Sequence, residues 1–155
     1  LVAFTGDEEN NSNGAVQLTR YLSGLGKKPS LVAVLDVTDM GWDDGADFTV
    51  ENNFWTDKQG RIVVEAALGT ASSWRFVPED EDEIPFYVPR ELVIEEEAEA
   101  DESWEYDEQG QQCFSLCLPV CGPMHSSEGV LARKSGCLKY LDALERIAGA
   151  MALGC

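Results

Sequence analysis

The sequence predicts an α/β domain with a mostly parallel or mixed sheet flanked by helices. Three observations predict it. Leu31-Val-Ala-Val-Leu35 is an unbroken apolar run ending in Asp36, the pattern of a parallel strand buried on both faces. Ahead of it, Ala15, Val16, Leu18, Tyr21, Leu22 and Leu25 recur at helical spacing. Near the end, an apolar run from Cys113 to Val120 is followed by a second helical stripe.

In chain order, Leu1-Val-Ala-Phe-Thr5 reads as a first strand and Gly6 to Gly14 as a polar turn. The helix over 15–25 is stopped by Gly24 and Gly26, before Lys27-Lys-Pro29. Residues 1–36 therefore read as strand, loop, helix, strand, a right-handed βαβ unit. Ala46 to Val50 and Arg61 to Ala67 have strand character, with Asp57-Lys-Gln-Gly60 as the turn between them. The strand Cys113 to Val120 is broken at Cys121-Gly-Pro-Met124. In the last helix, Cys137, Leu141, Leu144, Ala148 and Met151 form one apolar stripe, widened by Leu138 and Ile147. There is no internal repeat, and residues 1–155 read as one domain.

Composition bounds the function. The chain has 155 residues, 44% of them apolar, which is enough to bury a core. Its 29 acids against 11 bases give a formal charge of −18, which argues against nucleic acid, anionic membranes and polyanionic substrates. No apolar run approaches the ~18 residues of a membrane helix, and no segment reads as a signal peptide. Five cysteines, an odd number, favour reduced thiols and a cytoplasmic setting. Cys113, Cys117 and Cys121 would share one strand face as buried small side chains, since Pro119 and Gly122 argue against a helical metal knuckle.

The charge is concentrated. Between Glu79 and Glu108 there are 15 acids and one base, Arg90, so this stretch carries −14 of the total. It reads as an acidic insertion or loop over 79–109, solvated or partly disordered. The sharper reading is a docking surface for a basic protein partner or a polyanion mimic. Ile84, Phe86, Tyr87, Val88, Leu92, Val93 and Ile94 interrupt the acids, so part of it is expected to pack. Trp104 and Tyr106 either anchor this stretch to the core or line a pocket for a cationic amino terminus.

Ligands of open α/β sheets bind beyond the carboxyl ends of the strands. Three predicted strand ends carry polar residues: Gly6-Asp-Glu-Glu9, Asp36-Val-Thr-Asp39 and Gly122-Pro-Met-His-Ser126. Carboxylates and an imidazole on one edge suit a divalent ion such as zinc, manganese or cobalt. A further carboxylate could take a proton from metal-bound water. Each piece alone has an ordinary explanation: a solvated Glu pair, a turn-forming Asp, a structural His. Their coincidence at the ends of one sheet favours the metal reading.

The same segments resemble a family. Leu1-Val-Ala-Phe-Thr-Gly-Asp-Glu-Glu9 followed by Gly14-Ala15 looks like the strand, Glu-Glu, Gly-Ala, helix element of the co-catalytic zinc exopeptidases, the aminopeptidases and carboxypeptidases of one α/β fold. Leu35-Asp-Val-Thr38 is similar to their metal-binding Asp strand, and Gly122-Pro-Met-His-Ser-Ser-Glu128 to their metal-binding His segment. The likeness covers roughly residues 1–40 and 110–150. It implies a zinc-exopeptidase-like fold hydrolysing a peptide or small amide. Glu8 would be the general base for a metal-bridging water, Glu9 and His125 ligands of one ion, and Asp36 a ligand of the other.

The family uses five ligands, however. Two of them, a His and a bridging Asp, lie upstream of the Glu-Glu element and have no counterpart here. His125 is the only histidine, and among Asp7, Asp39, Asp43 and Asp44 none is preferred as a substitute. Two readings follow. The Met-less start inside a strand suggests the carboxyl-terminal part of a longer peptidase-like protein, with an exposed first strand through which a fragment would dimerise. The other is a stand-alone remnant, and either way the chain alone is expected to be inactive or nearly so. The competing class is a non-catalytic protein of this fold that engages a basic partner through its acidic stretch.

Overall fold

The computed structural model describes residues 2–6, 12–51, 58–70, 72–77, 102–124 and 126–153. Its elements are α1 (Asn13–Gly24), β1 (Val32–Thr38), β2 (Phe48–Glu51), α2 (Lys58–Leu68), β3 (Trp74–Val77), α3 (Glu102–Glu108), β4 (Cys113–Cys121), β5 (Leu131–Ala132) and α4 (Lys134–Leu153). The strands form one mixed sheet in the order β1-β4-β2-β3, with β5 paired to β4. β1 and β4 run parallel, as do β2 and β3, while β2 and β4 are antiparallel.

The α/β class and the mixed sheet flanked by helices are as the sequence predicts. Two elements are not. Residues 2–6 form no strand: Val2 and Phe4 are exposed, and the segment crosses the start of α1 instead. The βαβ unit therefore lies not in residues 1–36 but in β2–α2–β3.

The second correction is α2, where Arg61 to Ala67 reads as a strand. Ile62, Val63 and Val64 are β-branched and mimic one, but burial follows the helical step from Val64 to Leu68, and Glu65 is exposed. Tertiary packing decides here: α2 lies against α4, and only a helix carries Val64 and Leu68 together onto the sheet.

The two faces of the sheet differ. One carries Ala33, Phe48, Val50, Trp74, Phe76, Phe114 and Leu116 against α2 and α4, the main core. Trp74 stacks with Phe48 at 6.2 Å and meets Phe76 edge-on at 5.1 Å. Such ring pairs add about 0.5–1.5 kcal/mol each beyond burial. The other face packs Val32, Val34 and Cys113 with Ala15 and Leu18 of α1 and Tyr106 of α3.

α4 is turned from its predicted face. Tyr140, Ala143, Leu144, Ile147 and Met151 meet the core, whereas Leu138 and Leu141 are exposed. At ~100° per residue this is a rotation of roughly 60° from the predicted stripe. Two contacts set it: the Tyr140 hydroxyl donates to the Leu116 carbonyl at 2.6 Å, and Gly136 sits against the Asp47 carbonyl and the Leu118 side chain. Among the described residues, no helix is long and apolar enough to cross a membrane.

Candidate metal centre

Alternation along β1 places Val32, Val34, Asp36 and Thr38 on the face covered by α1 and α3. Asp36 is exposed near the carboxyl end of β1, and its Oδ1 accepts from the Val37 backbone N–H at 2.7 Å. Because β1 and β4 are parallel and in register from Val32↔Cys113 to Thr38↔Pro119, the segments after Thr38 and after Cys121 leave the sheet at one edge. The sequence expects this convergence for Asp36 and the segment holding His125.

The loop after β4 has a built geometry. Gly122 has φ 122°, a backbone conformation for glycine, and a Cβ there would meet the Gly129 carbonyl at 3.2 Å. Ser126 Oγ donates to the Pro123 carbonyl at 2.7 Å and accepts from the Glu128 N–H at 3.2 Å, closing a turn across position 125. His125 itself, like Glu8, Glu9 and Asp7, lies outside the described residues.

The segment leading to Glu8 is tied to the helix layer above Asp36's face. Thr5 Oγ1 donates to Glu102 Oε2 of α3 at 2.9 Å, and residues 5–6 press on Gly14 of α1. At the far end of the intervening loop, Ser12 is buried with φ 49° and ψ 37°, the one described non-glycine residue with positive φ.

Of the substitute ligands, Asp44 is 3.2 Å from the Arg75 guanidinium, while Asp39 and Asp43 are exposed in the β1–β2 connection. Among the described residues, no three His, Cys, Asp or Glu side chains group as a metal site. The predicted cysteine face is present: Cys113 and Cys117 are buried on β4, Cys121 is exposed at its end, and Cys113 Sγ–H donates to the Ser103 carbonyl at 3.0 Å.

Sequence reasoning missed a polar row. Asp36, Cys117, Thr49 and Arg75 are successive register partners across β1, β4, β2 and β3, with Ser115 and Glu51 paired alongside. Thr49, Glu51, Ser115 and Cys117 are all buried, and Thr49 Oγ1 donates to Glu51 Oε1 at 2.5 Å. Polar residues at 49 and 51 alternating with Phe48 and Val50 are visible in the sequence, but they read as a solvated strand face.

The acidic stretch is corrected at its end. Residues 78–101 lie outside the description, but Glu102–Glu108 is a helix, not a loop. Glu102 and Glu105 are buried, so they cannot belong to a docking surface. Tyr106 is 4% exposed and packs with Ala15 and Val34, which makes it an anchor, not a pocket wall. No family model, curated protein or solved structure matches this chain.

Proposed function

We propose that this chain is part of a zinc-dependent, exopeptidase-like hydrolase of peptide or small amide bonds. The observation that carries the reading is the parallel β1–β4 register, which sends Asp36 and the His125 segment to one sheet edge. Tethering of residues 5–6 above the same face supports it.

Asp36 fits the role of a hard oxygen ligand: an exposed carboxylate at a strand's carboxyl end, on the face toward which residues 5–6 lead. With Glu9 and His125 it makes an oxygen and nitrogen donor set suited to zinc, with manganese or cobalt as alternatives. A bound zinc ion would supply Lewis acidity and a lowered water pKa. Glu8 would accept the proton from the attacking water and return it to the leaving amine. With two of the family's five ligands lacking counterparts, turnover by the 155-residue chain is expected to be negligible.

Calorimetric zinc titration of this chain beside His125→Ala tests the reading. Binding that is lost in the variant supports it. No binding by either protein sinks it and favours the second reading, salt-sensitive capture of a basic partner by the 14 net negative charges of residues 79–108. Neutralising acids in 95–101 would then abolish that capture while metal made no difference.

A further inference from the structure

We infer that Thr5, Glu102 and Gly14 form a clasp that positions the Glu8–Glu9 pair, with Glu102 and Gly14 acting as positioning residues. This deepens the metal-site reading and rests on it. The clasp has two independent points. One is the hydrogen bond from Thr5 Oγ1 to Glu102 Oε2 at 2.9 Å, across 97 residues of sequence, with Glu102 buried in the first turn of α3. The other is close backbone approach. A Cβ on Gly14 would lie under 3.0 Å from the Gly6 oxygen, the Gly6 nitrogen and Thr5 Cβ, so the segment fits only over a glycine.

Chain geometry turns this into a constraint on chemistry. Two peptide units separate Gly6 from Glu8, and three separate it from Glu9. The pair therefore lies within about 7 and 11 Å of a fixed Gly6. Ser12, buried and held in the left-handed region, fixes the other end of the loop. A strap anchored at both ends loses less freedom when its carboxylates are ordered on an ion, which is how preorganisation raises affinity. Gly14-Ala15 in the sequence thus has a physical role: Ala15 packs into the core below while Gly14 admits the strap above. Glu102 gives the last acids of the charged stretch a task on the molecule's own backbone instead of at a partner.

The test uses the whole chain, with zinc and cobalt(II) ions as probes. Thr5→Val removes the donor at nearly constant volume, Thr5→Ser restores it, and Gly14→Ala forces the strap away. Melting curves establish that each variant is folded. Thr5→Val and Gly14→Ala are expected to weaken zinc binding about tenfold, the scale of one hydrogen bond to a charged group. Thr5→Ser is expected to bind as the unaltered chain does. The visible spectrum of bound cobalt should change in the first two variants and not in the third. If the unaltered chain binds zinc through His125 but folded Thr5→Val and Gly14→Ala bind equally well, the clasp is overturned while the metal reading stands. If neither the unaltered chain nor His125→Ala binds, the metal reading has failed and the clasp's role falls with it.

Discussion

The Arg133 guanidinium lies 4.0 Å from the centre of the Trp42 ring and donates through Nη2 to the Trp42 carbonyl. These residues, 91 positions apart, tie the β1–β2 connection to the start of α4 at the edge where β1 and β4 end. Arg133→Ala is expected to cost about 1–2 kcal/mol, because it removes a cation–π contact and a charge-assisted hydrogen bond. The loss stays modest because Arg133 Nη1 is buried with no hydrogen-bond partner, so the guanidinium is not fully satisfied. Denaturant midpoints should show the loss, with a shift in tryptophan emission. An unchanged midpoint would mean that the contact is energetically idle.

Tyr106 makes stability fall at high pH. Burial first, then the charges of Glu102 and Cys113, push its hydroxyl from 10.0 up to about 12. The fold therefore favours the neutral phenol. Below pH 10 its contribution is fully present, and it is lost as pH rises from 10 towards 12, because the unfolded tyrosine ionises first. The slope from this one group is at most about 1.4 kcal/mol per pH unit. Tyr140 moves in the same direction, through burial first and then Cys117, so Tyr106→Phe removes only one share. Melting curves at pH 9 to 12 (roughly the range in which tyrosines titrate) should show a shallower decline for Tyr106→Phe. Parallel declines would contradict the assignment.

Ser12 sits at φ 49° before α1, and its side chain makes no capping hydrogen bond. Left-handed backbone costs a non-glycine residue of order 1 kcal/mol, with no compensating cap here. Ser12→Gly is expected to stabilise the chain by about 0.5–1 kcal/mol, the relief of strain outweighing glycine's greater freedom when unfolded. A lower melting temperature for this variant would show that the hydroxyl has a role the backbone geometry does not reveal.

Much of the fold was legible in the sequence. The glycines after Leu22 and the apolar run ending at Asp36 mark α1 and β1, and Cys113 to Val120 marks β4, because their patterns are long and bounded by breakers. Phe48–Val50 was legible as a strand, but the burial of Thr49 and Glu51 was not. Only the pairing of β2 between β4 and β3 covers them. Val2 and Phe4 misled for the opposite reason, since five apolar-rich residues look like a strand when no partner strand is specified.

The candidate site divides the same way. Its residue types and order, from Glu8 and Glu9 through Asp36 to His125, are properties of the sequence alone. That Asp36 and the His125 segment share an edge depends on β1 and β4 pairing in parallel across more than 70 intervening residues.

The sequence by itself determined the α/β class, the limits of the strongest elements, the acidity and the donor types available, because these depend on local spacing and composition. Tertiary structure decided that 61–67 is a helix and that residues 2–6 are a strap. It also decided that α4 turns Tyr140 inward and that Glu102 is buried beside Thr5. Each of these outcomes depends on which distant surface a segment meets, and local pattern does not encode that choice.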